Sequence, residues 1–203
     1  MIKTIIFDLA EVYLSGLVGI EFRLAPLLNI DPKTVWAGTQ GEALIELFKG
    51  KITEEEYWQR MIKRNRWKID VDTLKRKVRE NFGEIEGTRN IIIRLKSMGF
   101  KLGLLSTHAK EWIEFCNGKF DYHKLFDSVS YSFEAGVSKP DKKAYRTLLE
   151  KLNSKPEECI FIDDHPKNLA SAKELGMIAI LFTTPKQLEN DLAKEGICLE
   201  VKD

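Results

Sequence analysis

Apolar residues fall along this chain in short, near-continuous runs, each ending in a polar residue. The first lies within Met1–Ala10 (MIKTIIFDLA) and delivers Asp8; Lys101–Ser106 (KLGLLS), Ser128–Tyr131 (SVSY) and Cys159–Asp163 (CIFID) follow, and Met177–Phe182 reads as a further strand. Such runs suit strands of a parallel sheet covered on both faces. Between them the apolar positions recur at helical spacing. Thr88 is read as the cap of a helix carrying Ile91, Ile92 and Leu95 and stopped by Gly99. Pro140 and Asp141 open another, with Ala144, Tyr145, Leu148, Leu149 and Leu152 on one face, and Pro166 opens a third that ends at Gly176. Strands alternating with helices predict an α/β fold built on a doubly wound (Rossmann-like) parallel sheet. Ligands of such sheets gather at the carboxyl ends of the strands, where Asp8, Ser106 and the Asp163–Asp164 pair all fall.

The alternation breaks between Leu14 and Gly83, where no strand is read. Leu44, Ile45, Leu47 and Phe48 form one helical stripe, and Tyr57, Trp58, Met61 and Ile62 form another behind Thr53, with Glu56 three residues on completing a capping box. The expected organisation is a catalytic core of residues 1–13 and 84–203, interrupted by an inserted α-helical bundle at 14–83.

Composition narrows the function classes. The chain has 203 residues, 43% of them hydrophobic, enough for one ordinary domain carrying an insertion. Lys and Arg total 32 against 31 Asp and Glu, so no overall field draws the chain to nucleic acid or to an acidic membrane. Any phosphate binding is local. Cys116, Cys159 and Cys198 have no CxxC spacing and read as reduced thiols. Without a secretory pattern at Met1, and without an apolar run near the roughly 20 residues a bilayer span needs, a cytoplasmic soluble protein is the expectation.

The strand-end residues each have a bland reading and a chemical one. Asp8 is a turn cap, a Mg²⁺ ligand or a nucleophile, and an aspartate attacking phosphorus needs a cation beside it. Asp163 and Asp164 are a solvated turn or the further oxygen ligands of Mg²⁺, which takes a few carboxylates plus water and substrate oxygens. Ser106 and Thr107 are helix caps or hold phosphoryl oxygens. Lys139 is a surface lysine or neutralises charge in the same site.

In order, the segments IIFDLAEV, LLSTHAKEW, GVSKPDKKAY and FIDDHPKNLASAKELGM resemble the four motifs of the haloacid dehalogenase superfamily of aspartate-dependent hydrolases. The region from Leu14 to Gly83 resembles that superfamily's helical cap in position and character. The resemblance implies that Asp8 attacks phosphorus to form an aspartyl-phosphate, that Ser106, Thr107 and Lys139 hold the phosphoryl group, and that Lys139 assists the transfer. It further implies Mg²⁺ held by Asp8, the carbonyl of Ala10, Asp163 and Asp164, and a cap that closes over a small phosphorylated substrate.

The chain departs from that pattern at Ala10. Most phosphatases of the superfamily carry a second Asp there, which protonates the leaving oxygen, and such assistance is typically worth roughly 10²–10⁴ in rate. FDLAEV is most like a sub-group of sugar-phosphate phosphatases with FDLG in this motif. Other readings are a phosphonate (C–P) hydrolase that relies on a cap lysine, a dehalogenase, against which the FIDD pair argues, and a binding protein without turnover. Glu11, His108 and His165 are the candidates for a substitute acid. Trp36, Trp58 and Trp67 are read as bundle core or substrate wall, and Lys63, Arg64, Arg66 and Lys68 as a solvated helix face or a guide for an anionic substrate. Oligomeric state is not legible.

Overall fold

The computed structural model describes residues 1–199. In chain order its strands and helices are β1 (Thr4–Phe7), β2 (Leu14–Ser15), α1 (Ile20–Leu28), α2 (Pro32–Thr39), α3 (Glu42–Phe48), α4 (Glu54–Asn65), α5 (Val71–Asn81), β3 (Gly83–Glu84), α6 (Thr88–Ser97), β4 (Lys101–Ser106), α7 (Lys110–Phe120), β5 (Ser128–Tyr131), α8 (Ser132–Ala135), α9 (Lys142–Leu152), β6 (Cys159–Asp163), α10 (Pro166–Glu174), β7 (Ile178–Leu181) and α11 (Pro185–Lys194). The main sheet has the order β5-β4-β1-β6-β7, with every neighbouring pair parallel. This is the α/β fold that the alternation of strands and helices predicts.

The sheet is apolar on both faces because its strands carry hydrophobic residues at odd and even positions alike. Ile5, Phe7, Leu102, Leu104, Ile160 and Ile162 enter one core cluster, whereas Ile6, Leu105 and Phe161 enter the other, beneath α9 and α10. Gly103 lets α9 approach closely. A Cβ there would stand 2.7 Å from Leu152 Cδ1 and 3.3 Å from Ile6 Cγ1.

Two local readings change. The segment from Leu14 to Gly83 begins and ends in strand: β2 pairs antiparallel with β3, Leu14 opposite Glu84 and Ser15 opposite Gly83. A ribbon of two residues per strand is too short to leave a periodic signal. Thr88 is the first residue of α6 rather than its cap, which is Gly87 at φ 96°. The Thr88 hydroxyl instead donates to the carbonyl of Val12 at 2.9 Å, fastening α6 to the loop after β1.

Helices α1–α5 fill the inserted segment. Thr53 and Glu56 form the capping box of α4, with Glu56 N–H donating to Thr53 Oγ1 at 3.2 Å and Thr53 N–H to Glu56 Oε2 at 2.8 Å. Asp31 and Asp70 cap α2 and α5, accepting from the N–H of Thr34 and Thr73. The insertion's apolar residues join the same cluster as one sheet face, including Leu24, Val35, Leu47, Tyr57, Trp58 and Leu74. Among the described residues no helix is long and apolar enough to cross a membrane.

A buried carboxylate fastens the insertion to the core. Glu54, only 2% exposed at its side chain, accepts from Arg79 Nη1 at 2.9 Å and Nη2 at 2.6 Å, and from the Trp112 indole of α7 at 2.7 Å. Its backbone N–H donates to Glu111 Oε1 at 3.0 Å. Beside this junction His108 is buried among Phe48, Phe82 and Trp112, its ring 5.6 Å from that of Trp112. Burial pushes the imidazole down to about 4, and Nδ1 accepts the Ala109 N–H at 3.1 Å.

Two predictions follow from this junction. Glu54→Ala strands Arg79 and the Trp112 N–H, so urea unfolding at pH 7 should register a loss of about 3 kcal/mol, with Glu54→Gln losing less. The unfolded chain protonates His108 below roughly pH 6.5, whereas the folded chain does so only near 4. Stability should therefore fall as pH drops through that window, by up to about 3 kcal/mol from this group. Unfolding of His108→Phe compared with the parent between pH 7 and 4 should lack this component; an unchanged acid slope would exclude it.

Candidate active site

The three central strands end side by side. Phe7 of β1 pairs with Leu104 of β4 and Ile162 of β6, which sets Asp8, Ser106 and Asp163 at the same edge of the sheet. Lys139, from the loop between α8 and α9, enters this edge with its side chain 3% exposed. Its Nζ lies 2.7 Å from Asp8 Oδ1 and 2.6 Å from Asp163 Oδ2. Carboxylate oxygens of Asp8, Asp163 and Asp164 all lie within 4.8 Å of one another.

Each carboxylate has a different state of commitment. Asp163, fully buried, is saturated: Oδ2 receives Lys139, while Oδ1 accepts from His165 N–H at 2.8 Å and Asn168 Nδ2 at 2.9 Å. Asp8 Oδ1 also accepts from Leu9 N–H at 2.6 Å. Asp164 is exposed. Burial pushes the Asp8 carboxyl well above the usual aspartate range; Lys139 pulls it back and Asp163 adds repulsion. Partial desolvation and then Asp163 raise Asp164 in the same direction, and Glu11 adds to it. Lys139 is disfavoured as a cation by burial, but Asp8 and Asp163 outweigh this and hold it above the ordinary lysine value. Three carboxyl groups thus face one ammonium, so their full ionisation leaves an excess of two negative charges at one point.

This donor set fits Mg²⁺. Hard oxygen ligands at about 2.0–2.1 Å from the ion place opposite oxygens roughly 4.2 Å apart, close to the 4.8 Å span of the cluster. A dication would also cancel the excess charge. Asp163, with both oxygens engaged, is suited to holding Lys139 and the loop in place, whereas Asp164 is the free carboxylate.

Ser106 and Thr107 are not helix caps. The N-cap of α7 is Ala109, which makes no side-chain capping bond. Both Ser106 Oγ and Thr107 Oγ1 are buried without a hydrogen-bond partner. Buried hydroxyls are ordinarily satisfied, so this pair is available to an oxygen-rich ligand.

Ala10 is placed by a tight turn rather than by strand alternation, because β1 ends at Phe7. The carbonyl of Leu9 accepts from Tyr13 N–H at 2.9 Å and Leu14 N–H at 2.8 Å, and Glu11 takes a left-handed φ of 57°. The candidates for a substitute acid are otherwise engaged. Glu11 Oε1 accepts from Gly16 N–H at 3.2 Å and Val18 N–H at 3.1 Å, holding the loop after β2. His165 is the N-cap of α10, its Nδ1 accepting from Lys167 N–H at 3.3 Å. His108 is the neutral, buried ring described above. Asn168, which fixes Asp163, was legible only as part of the fourth motif's pattern.

Trp36 and Trp58 line a cavity with the fourth tryptophan, Trp112, whereas Trp67 lies on a separate groove with Arg66 and Lys68. Lys63, Arg64, Arg66 and Lys68 are exposed. Arg64 ties α4 to the last turn of α2 and to the α2–α3 connection by donating to the carbonyls of Gly38 and Gln40.

Known proteins share both the pattern and the fold. The chain is 30% identical over 157 residues to flavin mononucleotide hydrolase 1 of Arabidopsis thaliana, an alignment covering 77% of this chain and 63% of that protein. It is 32% identical over 112 residues to the glyceraldehyde 3-phosphate phosphatase of Pyrococcus furiosus, covering 54% of this chain and 46% of the relative. The chain therefore spans only about half to two thirds of these relatives' length. A HAD family enzyme of Bacteroides thetaiotaomicron, crystallised with magnesium and inorganic phosphate, superposes with a TM-score of 0.77 over 91% of this chain and 96% of that one, at 19% identity. The family model for haloacid dehalogenase-like hydrolases matches residues 33–182, most of the chain, and the protein belongs to that family.

Proposed function

We propose that the protein is a Mg²⁺-dependent phosphatase that hydrolyses a small phosphate monoester through Asp8. The observation that carries this reading is the buried Lys139 bridging Asp8 and Asp163, beside Asp164 and the two unpartnered hydroxyls of Ser106 and Thr107. The phosphatases among the relatives support it, as does the magnesium and phosphate held by the Bacteroides enzyme.

Mg²⁺, held by Asp8, the Ala10 carbonyl and Asp164 with Asp163 close by, would shield the approach of one anion to another. Lys139, Ser106 and Thr107 bind the phosphoryl oxygens. Asp8 attacks phosphorus as the bond to the leaving oxygen breaks, giving an aspartyl-phosphate and an alkoxide or phenoxide. Water then attacks the same phosphorus, the Asp8–phosphorus bond breaks, and the water's proton passes to solvent or to the departing group. Residues 14–83 serve as the cap that covers the substrate. Ala10 donates no proton, so the leaving group departs on its own acidity or with a proton from water. A carbon–phosphorus hydrolase would need an imine-forming cap lysine, and among the described residues no lysine between 14 and 83 is buried.

Asp8→Asn should reduce metal-dependent phosphate release to background; turnover surviving in that variant would exclude the mechanism. Aryl phosphates, whose phenoxides leave unprotonated, should be cleaved faster than alkyl phosphates by on the order of 10²–10⁴, the usual worth of general acid catalysis. Glu11→Gln should leave that ratio unchanged, because the carboxylate is engaged with Gly16 and Val18. Equal single-turnover rates on the two ester classes would instead reveal a working acid.

A further inference from the structure

The insertion rests on the core beside the loops that carry the candidate site. Ser132, the first residue of α8, is buried, and its hydroxyl donates to the carbonyl of Phe48 at the end of α3. The same oxygen accepts the N–H of His108 at 3.2 Å. His108 directly follows Ser106 and Thr107, and the segment that leaves α8 leads to Lys139. One hydroxyl therefore meets the insertion, the loop of the two unpartnered hydroxyls and the start of the segment that delivers the ammonium.

The surroundings fix this contact. Gly50, in a left-handed conformation at φ 67°, lies directly on the backbone of Phe133: a Cβ there would stand 2.9 Å from the Phe133 carbonyl oxygen and 3.1 Å from its Cβ. Phe133 stacks on Tyr131 at 5.2 Å between ring centroids, and Tyr131 is the register partner of Ser106 across β5 and β4. The Phe48 ring packs on that of His108. The insertion is thus seated on the segments that hold Ser106 and lead to Lys139.

A serine hydroxyl has one proton to give and lone pairs with which to receive. With its proton on the Phe48 carbonyl, the Ser132 oxygen is left to the His108 N–H. The two hydrogen bonds run head to tail, N–H to O–H to C=O, and each polarises the next.

We infer that Ser132 is a positioning residue that couples seating of the insertion to binding of the phosphoryl group. It acts through His108 on the loop that presents Ser106 and Thr107. When the insertion lifts, the proton turns from Phe48 to the His108 carbonyl, 3.5 Å from the same oxygen, and the His108 N–H loses a polarised acceptor. Such coupling is reciprocal: whatever seating adds to phosphate affinity, phosphate adds to seating. The inference rests on the phosphatase reading.

Inorganic phosphate with Mg²⁺ is the probe. Calorimetry reads its affinity, and hydrogen exchange reads the seat at residues 49–51, whose amides donate to carbonyls of α3. In the wild type phosphate should slow that exchange. In Ser132→Ala it should bind about five- to tenfold more weakly, the lower range of coupling between sites, and leave the exchange unchanged. Gly50→Ala, which lifts the seat from the insertion side and alters no group of the site, should weaken phosphate to the same extent. The double variant should weaken it no further, because both changes break one link. Exchange that phosphate leaves unaltered in the wild type, or slows equally in Ser132→Ala, would overturn the coupling and leave the phosphatase reading standing, as would losses that multiply in the double variant. Unchanged phosphate affinity in Gly50→Ala would do the same even if Ser132→Ala failed to fold. A wild type that neither binds phosphate with Mg²⁺ nor releases it from an aryl ester would overturn the phosphatase reading and the coupling with it.

Discussion

The site depends on one buried ammonium. Lys139 lies between Asp8 and Asp163, and without it two carboxylates would sit close together at the end of the strands with only neutral N–H donors to offset their desolvation. Removing one member of such a set leaves an uncompensated charge, the costly case for buried ion pairs. The surrounding structure is arranged to keep the lysine there. Asp163 is fixed from its other side by His165 N–H and Asn168, and Asn168 in turn gives its carbonyl to the Tyr145 hydroxyl of α9 at 2.9 Å. The helix that follows Lys139 and the helix that follows Asp163 are thereby joined through the same residues that hold the charge.

One ammonium does not balance three carboxylates. Burial pushes the Asp8 and Asp164 carboxyls upward and repulsion from Asp163 adds to it, and the remaining excess is why a divalent cation suits the place. The unpartnered hydroxyls of Ser106 and Thr107 add a second unmet demand, for acceptor oxygens. In the proposed reaction a cation and a phosphoryl group answer these two demands together, so neither is complete in the protein alone. Ala10 leaves a third function, protonation of the leaving oxygen, outside the protein's own groups.

The sheet was legible because its strands carry apolar residues on both faces, and the placement of Asp8, Ser106 and Asp163 followed from the rule that parallel strands present one common end. Legibility failed where structure is short or depends on distant partners. The turn at Glu11 and the ribbon of β2 and β3 are each too brief to generate a period, although a non-glycine residue at φ 57° is what lets the chain reverse so soon after Asp8. Thr88 has a capping residue's chemistry, yet it spends its hydroxyl on Val12, which is distant in sequence. Glu54 reads as one of three acids in the first turn of α4; its burial against Trp112 and Arg79 exists only once α5 and α7 have packed around it. The apolar cavity is a property of that same packing, and no local window contains it.

The paired β2 and β3 give the insertion a narrow stalk: the chain leaves the sheet domain at Ser15 and re-enters beside it at Gly83. Chain connectivity across this stalk leaves the order of the five main strands independent of how many residues lie beyond it. In the proposed function the sheet end carries the chemistry and the insertion carries the selectivity. The insertion is attached beyond the stalk as well, among other contacts by a carbonyl for Ser132 and an acceptor for the Trp112 indole, which Phe48 and Glu54 provide.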